Sequence, residues 1–422
     1  MNCAFIFRRD LRIYDNTGLL HAGEECEKVY PIFILDPRQV ENNPYKSEKA
    51  VHFMYNSLKD LDLQIKENGG EGLIIFHGIA EEVVRNLSSK IDYFYVNEDY
   101  SPFSIKRDQD IEAIANLKSY QDYLLSSKDI IPRSFTSFYL KVKDKVREPK
   151  EVKEINFGFL EGDINIGELK SENLRIKGGR KEGLELLERA KHVNFEKRDF
   201  PSLENYTYLS PHLKFGTISI REAYFAVNNE SFRRELYWRD FYTLIGYHYD
   251  VFGKPFKREY SNINWENNKE YFELWKEGRT GYPIIDSGMR ELNETGYINN
   301  RIRMLVSYFL VKVLFIDWRW GEMYFAQKLI DYDPLINNGN WQWIASTGTD
   351  YIFRVFDPWK QQKIYDQNAE YIKKWVKELR DYSAEEIHSL WKKGNIIDWR
   401  KRVNLVKQEY DRAKNKDNKL NN

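Results

Sequence analysis

Five apolar runs, "CAFIF", "VYPIFIL", "GLIIFH", "DYFYVN" and "QDYLLS", recur through about the first 125 residues. Each has the length of a strand and is apolar throughout instead of alternating, the pattern of a strand buried on both faces. Amphipathic stretches separate them, such as "SEKAVHFMYNSLKDLDLQIKENGG", which offers Ser47 as an N-cap and ends in glycines. Alternating β and α segments of this kind fold as a doubly wound parallel sheet, here expected over residues 1–125. No run is followed by G-x-G-x-x-G, so the dinucleotide fingerprint is absent and the sheet is not a Rossmann cofactor site.

From Ser126 to Arg175 the pattern gives way to charge-rich sequence such as "IPRSFTSFYLKVKDKVREPKEVKE", read as a long interdomain connection. After "KGGRKEG" the helical period returns and persists, until a polar, frayed tail "NKDNKLNN". All 11 tryptophans lie at or after Trp238. A chain of 422 residues divided so unevenly in aromatics is expected to be α/β then all-α: an α/β domain at 1–125, a linker at 126–175 and an all-helical domain at 176–422.

Composition excludes several classes. Lys+Arg and Asp+Glu each number 65, so any contact with nucleic acid must come from a local basic surface. Cys3 and Cys26, without C-x-x-C spacing, suggest neither a disulfide framework nor a zinc site, and no metal is expected. The apolar segment Ile302–Ile316 is interrupted by Arg303 and Lys312, too charged for a membrane span. The sequence runs into "CAFIFRRDLR" without an apolar h-region, so no signal peptide is expected and a reducing cytoplasm is the expected compartment.

Chemistry concentrates in the second half. In "ELYWRDFY", Glu235, Trp238 and Arg239 stand at i, i+3 and i+4, so a carboxylate, an aromatic plane and a guanidinium share one helical face. They could line a pocket for a flat polar ligand; a core tryptophan beside a solvated Glu–Arg bridge explains the octet equally well. "NNRIRM" repeats the arrangement with Asn300, Arg303 and Met304, and an arginine in so apolar a series needs an anion. The "DYD" carboxylates, Asp331 and Asp333, are the nearest candidates. "YTYLSPHLKFG" puts hydroxyls at a helix start, suited to phosphate, although capping alone also accounts for Ser-Pro. In "NNGNWQWIASTGTD", Trp341 and Trp343 would point about 200° apart on a helix, so two rings serve two different clients.

Together, "FRRDLRIYDNTGLL", "ELYWRDFY", "GRTGYPIIDSGMREL", "NNRIRM" and "LIDYDPLINNGNWQWIASTGTD" resemble the photolyase/cryptochrome family, colinearly over residues 5 to 375. The resemblance implies an α/β antenna domain followed by a helical domain holding FAD in a bent conformation. It implies that Thr207, Leu209, Ser210 and Arg239 bind FAD, that Asp331 and Asp333 face the flavin with Arg303 paired to Asp331, and that Asn337 lies near flavin N5. Trp265, Trp318 and Trp341 fall where the family carries electrons to FAD. Trp343 and Trp238 would enclose the substrate, Met304 would pack on it, and Glu235 and Asn300 would hydrogen-bond its bases. Arg198, Arg301, Arg354 and Gln361 are the candidates for contacts to the DNA backbone.

Within the family, the absence of histidines around "NNRIRM", with Met304 and Trp343, resembles the class I cyclobutane pyrimidine dimer enzymes of archaeal type. The implied reaction is light-driven repair of such dimers in DNA by electron transfer from reduced FAD. A cryptochrome-type blue-light receptor without repair activity is the alternative. "SPFSIKR" has no acid where folate-binding relatives carry one, so the expected antenna is a flavin (FMN or FAD) or deazaflavin instead of folate. Asn194 and Tyr206 depart from the family pattern near the FAD phosphates. A monomer acting on damaged DNA, with no membrane and no obligate protein partner, is expected.

Overall fold

A computed structural model describes residues 1–350 and 352–420 of the chain. Its packing forms two compact units, Met1–Val193 with Thr207–His248 and Ile330–Leu335, and Asn194–Tyr206 with Tyr249–Leu329 and Ile336–Asn422. These bounds differ from the division by sequence, because residues 126–175 and 207–248 pack with the sheet.

In the first unit five parallel strands, β1 (Asn2–Phe7), β2 (Lys28–Leu35), β3 (Ile74–His77), β4 (Tyr93–Asn97) and β5 (Leu117–Tyr120), lie in the order β3-β2-β1-β4-β5. The central β1 is apolar and buried on both faces, as a parallel strand covered by helices must be. Ala4, Ile6, Ile32, Ile74, Phe94 and Val96 meet Val83, Val84 and Ile111 from neighbouring helices in one core. Ser47 caps the helix Glu48–Glu67 by accepting from the Ala50 amide, as its place before the apolar period suggests.

Two expectations are corrected in this unit. "QDYLLS" is not a strand. The fifth strand is the half-exposed edge segment "LKSY", and the apolar residues after it are buried otherwise. The Leu125 and Ser126 amides donate to the Asp240 carboxylate at 3.2 and 2.8 Å, while the Tyr123 hydroxyl donates to Asp333. Cys3 and Cys26, whose spacing suggested no disulfide framework, form a disulfide across Cα atoms 6.0 Å apart. The reason is topological. The helix Thr17–Glu25 returns the chain to the start of β2, and β2 pairs with β1 so that Asn2 faces Lys28, which sets Cys26 beside Cys3.

The charge-rich segment after Ser126 is fastened down. Its helix Phe135–Val142 packs on the helix Glu230–His248, and further on the Val29 amide donates to Asn156 O and the Gly158 amide to Val29 O, both at 2.9 Å. A buried ion network ties the same unit together. Arg12 pairs with Asp122 at 2.7 Å, and Arg221 pairs with Asp122 at 2.7 Å and Asp15 at 2.8 Å.

The second unit is helical, without strands among its described residues. The helices Pro283–Thr295 and Asn300–Tyr308 pack through Gly288, where a Cβ would strike Ile302. No helix among the described residues is long and apolar enough to cross a membrane.

Because the bridge closes a segment of sequence separation 23, reducing it frees a substantial denatured-state loop and should cost about 3 kcal/mol. Protein alkylated under denaturing, non-reducing conditions should show no reactive thiol, and Cys3→Ser should lower the melting temperature by a few degrees, about the same as dithiothreitol does to the parent. Two alkylated cysteines in the untreated protein would contradict the pairing.

Candidate functional site

Expected site residues occur in both units. In the first, the helix Ser210–Phe215 begins after Tyr208, whose φ of 57° bends the chain sharply. The Thr207 hydroxyl accepts from the Leu209 amide at 3.3 Å, and Ser210 donates its hydroxyl to Asp331 at 2.6 Å. "YTYLS" and "DYD", 121 positions apart, thus meet through a hydroxyl and a carboxylate. Arg239 donates to Tyr123 O at 2.6 Å and Leu213 O at 3.2 Å, and its guanidinium lies 3.4 Å from the centre of the Tyr123 ring.

Asp333 is buried and heavily bonded. It accepts from the Tyr123 hydroxyl at 2.8 Å, from the Leu335 amide at 3.0 Å and from Arg9, which also holds Asp99 at 3.0 Å. Burial works against the charge of Arg9, but Asp333, Tyr123 and Asp99 outweigh it and hold the guanidinium well above its ordinary pKa. Burial likewise raises the Tyr123 phenol against the pull of Arg239 and Arg9, keeping it a neutral donor. Arg9 and Tyr123 had no assigned role in the sequence. Arg9 sits inside "FRRDLR", but its partner lies 324 residues away, and only the fold supplies it.

On the helix Glu230–His248, Glu235 is exposed while Trp238 and Arg239 are half-buried, as i, i+3, i+4 spacing allows. Trp238 lies flat on Phe135.

In the second unit, Asn299 caps the helix Asn300–Tyr308 and donates to Arg198 O at 3.4 Å. One turn apart on that helix, Asn300 Nδ2 approaches Met304 Sδ at 3.6 Å. Arg301 pairs with Asp199 at 2.9 Å and stacks over Tyr365. Arg303 donates from Nε to Ile298 O at 2.8 Å above the Tyr297 ring.

The two tryptophans of the helix Pro334–Ala345 separate as their 200° spacing requires. Trp341 is 2% exposed and touches the rings of Phe325 at 4.8 Å and Trp275 at 6.3 Å. Gly321 makes room for it, since a Cβ there would lie 2.1 Å from the indole. Trp343 is half-buried, with the Arg354 guanidinium 3.6 Å from its ring centre and Asp350 pairing that guanidinium. Trp318 is buried at the start of the helix Trp318–Lys328, and Trp265 is half-buried against Phe315 and Tyr410. Trp275, not singled out in the sequence, is fully buried and donates to Val306 O at 2.9 Å. Its lone position in "YFELWKEG" resembles an ordinary core tryptophan, so no local pattern marks it.

Asn337 is buried and donates to Glu322 O at 3.0 Å. Burial, opposed by Arg319 and reinforced by Asp317, pushes the Glu322 carboxyl up to about 8. Its Oε2, Trp341 Nε1, Gln361 Oε1 and Arg354 Nη1 are buried without a hydrogen-bond partner among the described residues. Buried polar atoms are rarely left so, and several in one unit suit a polar ligand with many donors and acceptors. FAD is a ligand of that kind.

Comparison with known proteins decides the family. Residues 3–154 match DNA photolyase and residues 232–415 match the FAD binding domain of DNA photolyase. The chain belongs to the DNA photolyase family. It is 34% identical over 435 residues to the deoxyribodipyrimidine photo-lyase of Alkalihalophilus pseudofirmus, covering 92% of this chain and 89% of the relative. It is 32% identical over 447 residues to that of Halobacterium salinarum, covering 91% of each. Among solved structures, an archaeal photolyase from Sulfolobus tokodaii with two FAD molecules superposes with a TM-score of 0.93 at 56% identity, over 98% of this chain and 100% of the other. A cryptochrome from Synechocystis shares the fold, with a TM-score of 0.86 at 24% identity over 96% and 98% of the two chains.

Glu322 gives a test independent of light. An unfolded glutamate ionises near pH 4, whereas folded Glu322 holds its proton until about pH 8. Its raised folded pKa means that this group's contribution to stability is greatest below about pH 4 and falls as pH rises towards 8, by up to roughly 1.4 kcal/mol per pH unit. Glu322→Gln should flatten that slope in urea unfolding followed from pH 5 to 8; an unchanged slope would place the titration elsewhere.

Proposed function

We propose that the protein is a deoxyribodipyrimidine photo-lyase, which repairs cyclobutane pyrimidine dimers in DNA by light-driven electron transfer from reduced FAD. One local arrangement carries this reading: two indoles of one helix, Trp341 buried among rings and Trp343 half-exposed beside a guanidinium, with the Asn337 amide one turn before them. Full-length similarity to enzymes of that name supports it.

Reduced FAD, when bound, would supply light-excited electron-transfer chemistry, with no net change of oxidation state. The protein's part is to hold and select. Thr207, Leu209, Ser210 and Arg239 would hold the cofactor's phosphate end, Arg303 would neutralise Asp331, and Asn337 would sit near flavin N5. Arg9 and Tyr123 support this division by fixing Asp333, so its carboxylate keeps one orientation. Trp265, Trp318 and Trp341 would feed electrons inward, with indoles suited to hopping because they oxidise readily.

The dimer must leave the duplex, at a cost lowest for a damaged and poorly paired site. Trp238 and Trp343 would then stack against it, Met304 would pack on it, and Glu235 and Asn300 would bond its base edges. Arg198, Arg354 and Gln361 remain candidates for the DNA backbone. Arg301 and Arg354 are the weaker ones, since Asp199 and Asp350 already hold them. The α/β segment 1–125 would serve as antenna domain, 126–175 as connection and 176–422 as catalytic domain. A second flavin is the antenna best supported, given the 56% identity to a chain that carries two FAD molecules. Arg107, at the end of the acid-free "SPFSIKR", leaves Nη2 buried and unpartnered among the described residues, which suits an anionic chromophore.

The test is repair of a dimer-containing oligonucleotide by the reduced protein. Dimers should disappear in blue light and persist in the dark. Flavin photochemistry without loss of dimers would favour a photoreceptor. Glu235→Ala and Trp343→Ala should each lower affinity for the damaged strand by roughly 10-fold or more. Trp341→Phe should impair photoreduction yet spare repair once the flavin is reduced chemically; equal loss of both would refute the division between Trp341 and Trp343.

A further inference from the structure

Phe135 opens the helix Phe135–Val142, capped by Ser134, in the segment whose sequence reads as a linker. It is 6% exposed, and its ring lies 3.6 Å from that of Trp238, centre to centre, with planes 3° apart. Phe241 meets both rings edge-on, at 5.7 Å from Phe135 and 5.5 Å from Trp238, each at 88°. The Arg234 guanidinium, one turn before Trp238, stands 4.9 Å from the Phe135 ring centre and 5.0 Å from that of Tyr139. The short helix is itself held: Phe138 packs on Phe241, Tyr139 on Tyr237, and the Asp144 amide donates to the Tyr237 hydroxyl at 3.2 Å.

We propose that Phe135 is a positioning residue for substrate recognition, fixing the plane of Trp238 so that its remaining surface meets a flipped base. The inference rests on the reading of Trp238 as a wall of the dimer site. Trp238 is half-buried, and an indole with one face uncovered turns about χ1 and χ2 unless neighbours stop it. Phe135 covers one face, Phe241 blocks an edge and the Tyr242 ring, tilted by 30°, lies 5.4 Å away, so the plane is set before the ligand arrives. A base stacking on the open side pays no further entropy to order the ring, which is how preorganisation strengthens binding. Filling a core needs only volume, whereas parallel rings at van der Waals distance need a flat partner. A branched aliphatic side chain of similar bulk would fill the space and leave the plane unset. The connection at 126–175 therefore belongs to the recognition apparatus.

The experiment compares Phe135→Leu, Phe135→Tyr and Trp238→Ala in the full-length, flavin-loaded protein. It measures dark affinity for a dimer-containing oligonucleotide, KM and kcat of light-driven repair, flavin absorbance and thermal melting. Phe135→Leu should weaken dark affinity and raise KM by roughly 3- to 10-fold, with kcat at saturating substrate and flavin absorbance unchanged. Phe135→Tyr should match the parent, and Trp238→Ala should lose roughly 10-fold or more. If Phe135→Leu melts below the assay temperature, the unbranched Phe135→Met takes its place with the same expectation. Equal weakening by the Leu and Tyr variants would mean that volume alone matters, overturning the proposal. Parental affinity in Phe135→Leu with loss in Trp238→Ala would overturn it while leaving the substrate wall intact; parental affinity in Trp238→Ala would remove the wall itself.

Discussion

Two buried guanidiniums, Arg12 and Arg221, share the carboxylate of Asp122, and Arg221 reaches on to Asp15. Removing four charges from water costs several kcal/mol each unless every one is paired and its remaining hydrogen bonds are met. Here they are met: Asp15 accepts also from Ser219, Arg147 and the Lys150 amide, and Asp122 from the hydroxyl and amide of Thr17. Burial would raise the Asp122 carboxyl, but Arg12 and Arg221 hold it far below its usual range, so it stays charged. The network joins five segments of the first unit: the loop after β1, the start of the helix Thr17–Glu25, the chain leaving β5, the stretch at Arg147–Lys150 and the helix beginning at Ile220. A single missing partner would leave an uncompensated buried ion, so the arrangement tolerates few alternative packings.

Everything nearby in that unit inherits its position from this network. Arg9 lies three residues before Arg12 and reaches Asp99 and Asp333; Tyr123 follows Asp122 and donates to the same Asp333. One peptide thus turns a carboxylate into the ion network and a phenol towards the proposed flavin side. Arg239 lies over that phenol and bonds its backbone carbonyl. The fixed charges beside "DYD" are a consequence of how the sheet loop is anchored, not a separate device.

The sequence made the buried strands legible, because a parallel strand covered on both faces is a run of apolar residues. The edge strand "LKSY" carries no such mark, while "QDYLLS" beside it does and is apolar for another reason: Tyr123, Leu124 and Leu125 are buried outside the sheet. The disulfide is equally invisible, because a separation of 23 acquires meaning only when a helix returns the chain to the adjacent strand. At the candidate site, residues fixed by local period were readable, as with Glu235 and Trp238 or Trp341 and Trp343. Those whose partners come from elsewhere, Arg9, Tyr123, Trp275 and Phe135, were not.

The helix Pro334–Ala345 shows how far one local rule extends. Placing indoles two residues apart guarantees opposite directions, but burial of one requires the opposing helix to give up a side chain. Gly321 does so, at a helical position where glycine costs about 1 kcal/mol relative to alanine. The adjoining Glu322 adds a second cost, a carboxyl desolvated until it holds its proton to about pH 8, with one oxygen unpartnered. Two unfavourable residues side by side, one of them packed on a buried indole whose own N–H lacks an acceptor among the described residues, are hard to explain as stability. Natural sequences concentrate such violations where function requires them. Here both costs fall on the stretch of the helix Trp318–Lys328 that contacts Trp341 and the Asn337 side chain, two residues that the proposed function places beside the flavin.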